Sequence, residues 1–164
     1  MYRFKQDGDR FVVSIDNHQE LMEAVAAFCR EQGIMAGEVS GIGAVSNATL
    51  RFLNPATKAY VDKTFNEQME ISSLAGNISE KDGNVYLHLH ANLGRADYTV
   101  VGGHLLTATI NGACEVFVRR FDVKPFHDAT HIAVVDYEYA SVASEVCLDF
   151  AQWASDDVDS LHLL

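Results

Sequence analysis

Val85-Tyr86-Leu87-His88-Leu89-His90-Ala91-Asn92 alternates apolar and polar residues along most of its length. Successive side chains of a strand point to opposite faces, so Val85, Leu87 and Leu89 share one face while Tyr86, His88, His90 and Asn92 share the other. The apolar set belongs to a core and the polar set is displayed on the opposite side. Two residues at a rise of ~3.3 Å put the two imidazoles about 7 Å apart along the strand.

Working outward, Glu67 to Ile78 reads as a second strand. Ser79-Glu80-Lys81-Asp82-Gly83 joins it to the strand Asn84 to Leu93, and Asp-Gly is a strong hairpin-turn pair. Val100 to His104 leads into a further element, and Gly112 to Phe121 patterns as a strand. Towards the N-terminus, Tyr2 to Lys5 and Arg10 to Ile15 flank Asp7-Gly8-Asp9 as a hairpin. Helical spacing of Leu21, Met22, Val25, Ala26, Phe28 and Cys29, with capping residues in 16–20 and a stop at Gly33, predicts a helix from about 18 to 32.

Ile34 to Leu53 reads as two strands divided near Ser46-Asn47, followed by a turn at Asn54-Pro55-Ala56-Thr57 and a connecting segment from Lys58 to Phe65. Gly41 and Gly43 form a G-x-G without the third glycine, following helix or downstream acid of a dinucleotide site, so they mark a bulge or close packing. Beyond Pro125 the pattern weakens. Ala133 to Tyr139 is compatible with a strand and Ala140 to Trp153 with a helix, ahead of a frayed acidic end. The expected fold class is α+β: a mostly antiparallel sheet with one main helix after an N-terminal hairpin. Residues 1–122 form the domain, and 123–164 are a C-terminal extension packed on it.

A chain of 164 residues fits one domain. No apolar run approaches the ~20 residues of a membrane-spanning helix, and the N-terminus lacks a signal-peptide stretch, so a cytoplasmic location is expected. Cys29, Cys114 and Cys147 are widely spaced in apolar surroundings, as buried reduced thiols would be. Twelve Lys and Arg against 23 acids leave a formal charge of -11. The densest basic spot is Arg119-Arg120. Phosphate neutralisation supplies much of the affinity for nucleic acid, so direct DNA binding is not expected of this chain.

Chemistry is concentrated at the histidines. His88 and His90 on one strand face can tilt towards a common ion, given Zn–N distances near ~2.0–2.1 Å. His104 follows Gly102-Gly103, a pair that would let the backbone turn and approach closely, placing it opposite the first two. The same residues also suit surface or hydrogen-bonded roles, and the pattern alone leaves both readings open. A divalent metal on three imidazoles keeps an open position; zinc is the first expectation, with nickel, copper or iron as alternatives. Glu70 stands on the neighbouring strand as a candidate general base, balanced against a salt-bridge or interface role. Arg95, Asp97 and Glu115 are weaker pocket candidates, and His18, His127, His131 and His162 read as capping, surface or tail residues. No nucleophile elbow, phosphate loop, H-E-x-x-H or C-x-x-C occurs.

Gly41-Ile42-Gly43-Ala44-Val45, Glu70-Ile71-Ser72-Ser73-Leu74-Ala75-Gly76-Asn77-Ile78, His88-Leu89-His90-Ala91 and Val101-Gly102-Gly103-His104-Leu105 together resemble the PPC domain, the plant and prokaryote conserved domain, over roughly residues 1–122. The resemblance implies a homotrimer and, in some prokaryotic members, a metal on the residues matching His88, His90 and His104. In plants the domain mediates protein–protein contacts, whereas DNA binding belongs to an adjacent AT-hook. No Arg-Gly-Arg core occurs here, and a trimer would carry 3 × (-11) = -33. The plant contact motif Gly-Arg-Phe-Glu-Ile-Leu corresponds to Glu67-Gln68-Met69-Glu70-Ile71-Ser72, which keeps only Glu-Ile. The expected function is a trimeric metal-binding module, with a possible protein partner. The alternatives are a metal-dependent hydrolase or lyase acting on a small polar substrate and, behind it, a DNA-binding or transcription-associated scaffold.

Overall fold

The computed structural model describes residues 1–81 and 83–122. Its elements are β1 (Tyr2–Asp7), β2 (Arg10–Ile15), α1 (Leu21–Gln32), β3 (Gly37–Asn54), β4 (Ala59–Phe65), β5 (Met69–Lys81), β6 (Asn84–Gly94) and β7 (Val100–Arg120). Every strand pairing is antiparallel. The order is β1-β2-β7-β6-β5-β3-β4, and β3 also pairs with β7, so β3, β5, β6 and β7 form a closed circuit. One helix of 12 residues against a seven-stranded sheet makes the described chain mostly β. The antiparallel expectation holds; α+β fits only roughly.

Both hairpins expected from Asp-Gly turns form. Gly8 (φ 59°) and Gly83 (φ 76°) take the left-handed conformation that such tight turns need. The helix starts at Leu21, later than residue 18, because Glu20 is the N-cap. Its carboxylate accepts from the Met22 and Glu23 amides at 3.1 and 2.7 Å, and also from the Ala108 amide of β7 at 3.0 Å. A single side chain therefore caps the helix and ties it to the sheet. Gly33 (φ 64°) closes the C-terminus as expected.

The fully buried Leu21, Val25, Phe28 and Cys29 turn α1 towards β6 and β7. Phe28 makes edge contacts with Tyr2, Phe4 and Phe11, joining the helix to the first hairpin. Alternating residues of the long strands supply the rest of the core: Val39 and Val45, Leu74 and Ile78, Leu87 and Leu89, and Val116 and Val118. Cys29 and Cys114 are buried free thiols, as expected, and burial pushes both up to about 12.

Three strand assignments also differ from the expectation. β3 runs unbroken through Ser46-Asn47, where a register shift against β7 between Val45 and Asn47 bends the strand without ending it. Likewise Val100–His104 and the expected strand from Gly112 belong to one strand, β7, which passes through Gly112 (φ 125°) and ends at Arg120. Finally, 59–65 is not a connection but strand β4, paired with the distal half of β3. Both its faces are largely exposed, so no buried face imposes the alternation that reveals a strand.

Gly41 and Gly43 serve close packing at a bulge. A Cβ on Gly43 would lie 2.6 Å from the Ala113 carbonyl oxygen, one on Gly41 2.9 Å from that of Glu115, and the register with β5 shifts between them. The strand expected at 133–139, the helix at 140–153, the frayed end and the packing of 123–164 on the domain all lie outside the described residues, as do Cys147, His127, His131 and His162.

Candidate metal centre

On β6 the outward alternation holds. Leu87 and Leu89 are buried, while His88, His90 and Asn92 are exposed. His90 is in direct register with His104 of β7, so the two imidazoles leave the same face of adjacent strands. His88 joins them from two residues along β6. The ring centroids are 5.3 Å apart for His88–His90, 4.9 Å for His88–His104 and 5.4 Å for His90–His104. One nitrogen from each ring lies within 4.8 Å of the others.

Tetrahedral zinc with Zn–N near ~2.0–2.1 Å needs nitrogens about 3.4 Å apart, a difference that small side-chain rotations remove. Three imidazoles are also a donor set that zinc and its neighbours accept. The residues fit a metal. The charge state of His88 and His104 agrees, because ligation requires neutral imidazole. Partial burial, then the neighbouring His90, lowers the His88 pKa. Partial burial, then His88, His90 and Arg51, pushes His104 down to about 4 against the opposing influence of Asp62.

The glycines beside His104 act differently from the expectation. Gly102 and Gly103 do not turn the chain; they lie in β7, opposite Asn92 and Ala91 of β6. The reversal is made by residues 95–99, where Tyr98 has φ 64° and Asp97 accepts from both the Thr99 amide (3.0 Å) and hydroxyl (2.6 Å). Close approach is what the pair provides. A Cβ on Gly102 would lie 2.4 Å from Asn92 Oδ1, and one on Gly103 3.1 Å from the Arg51 carbonyl oxygen. Asn92 in turn donates to Ser73 Oγ on β5 at 2.9 Å. Behind His88 the approach is closer still: a Cβ on Gly76 would meet the His88 carbonyl oxygen at 2.0 Å.

Two charged residues that sequence reasoning passed over stand in the same row. Arg51 of β3 is in register with His104, and Asp62 of β4 with Arg51, so His90, His104, Arg51 and Asp62 run across β6, β7, β3 and β4. Arg51 donates from Nε and Nη2 to the two Asp62 oxygens at 2.7 and 2.9 Å, and its guanidinium lies 4.9 Å over the Tyr60 ring. The guanidinium holds the Asp62 carboxyl below its ordinary range. The missing clue was the pairing of β4, without which Arg51 and Asp62 are eleven residues apart and unrelated.

The weaker candidates fall elsewhere. Glu70 is exposed and in register with Gly94, four β6 positions from His90, or about 13 Å at ~3.3 Å per residue. The structure does not bring it to the triad. Arg95 pairs with Glu67 at 3.0 Å, and Asp97 organises its own turn. Glu115 lies on the distal half of β7, beside Ile42. His18 occupies the turn before the helix, with its amide donating to the Ile110 carbonyl. At the basic spot, Arg119 pairs with Asp9 at 3.0 Å. Among the described residues no helix is long and apolar enough to cross a membrane.

Comparison with known proteins places these features in a family. The model of the Plants and Prokaryotes Conserved (PCC) domain matches residues 2–122. No curated protein is similar enough to match. A crystal structure of a Bacteroides thetaiotaomicron protein provisionally labelled DNA-binding is similar at 54% identity over 76% of this chain and 87% of that one, with a TM-score of 0.74. A metal-containing protein from Archaeoglobus fulgidus is similar at 39% identity over 73% and 84% of the two chains, with a TM-score of 0.66. A plant- and prokaryote-conserved protein from Pyrococcus horikoshii matches at 27% identity over 76% and 84%, with a TM-score of 0.67. The chain, with its closed antiparallel sheet and displayed histidines, belongs to the plant and prokaryote conserved domain family.

Proposed function

We propose that this protein is a homotrimeric module that binds one divalent metal per chain, zinc in the first instance, through His88, His90 and His104. The observation that carries the reading is the convergence of three ring nitrogens within 4.8 Å on the displayed face of two directly paired strands. Sheet hydrogen bonding fixes the three backbones relative to one another, so a metal would meet ligands already positioned. The metal-containing Archaeoglobus relative at 39% identity supports it. Exposed Val12, Phe117 and Ile42 on the outer sheet face give apolar surface for self-association.

Elemental analysis of protein purified without added metal, combined with its mass in solution, tests both parts. The expected result is about one equivalent per chain in a particle of three chains. A His88→Ala/His90→Ala variant should lose the metal; unchanged metal content in that variant refutes the site, and a monomer refutes the assembly.

A second reading, a metal-dependent hydrolase or lyase acting on a small polar substrate, draws on the accessibility of His88 and His90 and on the absence of a fourth His, Cys, Asp or Glu ligand within the cluster among the described residues. Such a metal would act as a Lewis acid. Glu70, the general base expected for that reading, is not brought to the triad within one chain, so Glu70→Gln is the variant that decides its role: an unchanged rate removes it. A DNA-binding role fits poorly with a charge of -11 per chain. Binding to duplex DNA that survives physiological salt would restore it.

A further inference from the structure

The triad does not stand alone on its face, and what flanks it has a chemical preference. Cross-strand neighbours have Cβ atoms only about 4.5–5.5 Å apart, so the Arg51 side chain starts beside the His104 ring. Its guanidinium is held from two directions. Asp62 grips Nε and Nη2, and the Tyr60 ring lies beneath the plane at 4.9 Å. An arginine so restrained has lost much of its side-chain freedom before any ligand arrives, which lowers the entropic cost of using it. A guanidinium also has more N–H donors than one carboxylate engages, so the clamp does not exhaust it.

Asp62 is two strands away from His104. Its two oxygens are committed to Arg51, so it is positioned to hold the arginine, not to fill a metal's coordination shell. A metal on three neutral imidazoles keeps its full positive charge, and the Arg51–Asp62 pair adds no net charge. The row thus presents a cationic centre with a planar, bidentate-capable donor on one side. The complementary ligand has two oxygens sharing a negative charge, one for the metal and one for the arginine.

We propose that Arg51, clamped by Asp62 and Tyr60 beside His104, makes this metal centre selective for small carboxylate anions, with Arg51 contacting the oxygen that the metal does not take. The inference rests on the metal reading above and goes beyond it by assigning a ligand class and an anion-binding residue.

The test uses the full chain loaded with Co2+ and follows the visible cobalt spectrum during titration with acetate and, separately, with imidazole as a neutral metal ligand. An Arg51→Gln variant should take up the same cobalt and bind acetate about tenfold more weakly, the lower end of what a charge-assisted hydrogen bond contributes. Imidazole affinity should change less than about twofold. Should R51Q fail to fold by circular dichroism, Arg51→Lys carries the same comparison; it keeps the charge but not the fork, and about a threefold loss is expected. An acetate-to-imidazole affinity ratio equal to wild type in the folded variant overturns the inference and leaves the metal site standing. Failure of the wild-type protein to take up cobalt overturns both.

Discussion

Gly76→Ala should be among the most damaging single-methyl changes available to this chain, although residue 76 is neither a metal ligand nor in a turn. Gly76 lies on β5 opposite Leu89, and an added Cβ would sit 2.0 Å from the His88 carbonyl oxygen and 2.8 Å from both Leu89 Cα and Cδ2. Ordinary carbon–oxygen contacts need ~3.2 Å or more, so β5 and β6 would have to part by over ~1 Å at this point. Two of the atoms met are backbone, which cannot rotate away. Losing about two backbone hydrogen bonds at ~1 kcal/mol each, together with ~1–3 kcal/mol of overpacking against the buried Leu89, gives about 4 kcal/mol. The reduced freedom of the unfolded chain returns ~0.4–1 kcal/mol, leaving about 3 kcal/mol, or roughly 10 °C in Tm for a domain of this size.

Guanidinium and thermal unfolding of metal-free protein, monitored by circular dichroism, measure the effect. Gly8→Ala is the control. That glycine has φ 59° and open space around its would-be Cβ, so the substitution costs only the ~1–2 kcal/mol of a left-handed alanine. If Gly76→Ala is no more destabilising than Gly8→Ala, the close approach of β5 to the histidine strand is not what residue 76 serves. Because the displaced backbone carries His88, metal affinity should fall in the same variant.

Other expectations follow from the same geometry. Glu20→Ala removes the helix cap and leaves the amide of the buried Ala108 without its acceptor, which should cost about 2–3 kcal/mol in chemical denaturation; a cost below ~0.5 kcal/mol would contradict the dual role. Metal-free protein should lose stability as pH falls through the window from 6.5 to about 4. There the unfolded His104 binds a proton that the folded one refuses, so stability rises with pH; after allowance for solvent screening of a partly exposed ring, the loss is about 1–2 kcal/mol. A stability curve flat across that interval, or equally steep in a His104→Gln variant, would argue against it. Asp62→Asn should leave metal stoichiometry unchanged in elemental analysis, since Asp62 is bonded to Arg51 and stands outside the cluster of ligand nitrogens; loss of metal would place it in the coordination shell instead.

Much of the molecule was legible from local pattern. The alternation Leu87-His88-Leu89-His90 assigned the strand and both faces, because burying one side of a sheet forces a period of two on its residues. The helix face was equally plain, and its start was set a few residues early because the run 16–20 offers several capping residues, of which Glu20, the last, is the cap. Where burial imposed no pattern, the reading failed: β4 exposes both faces and passed for a connection, and the bulges in β3 and β7 looked like strand ends.

The sequence by itself determined an antiparallel sheet, the outward face of His88 and His90 and, by family resemblance, the partnership of His104. Only the tertiary structure decided what surrounds them. Arg51 and Asp62 reach the histidine row because β3 pairs with both β7 and β4, and Gly76, Gly102 and Gly103 are needed because other backbones pass close by. Register and close approach are relations between distant segments, set by the closure of the sheet as a whole, and no local periodicity carries them.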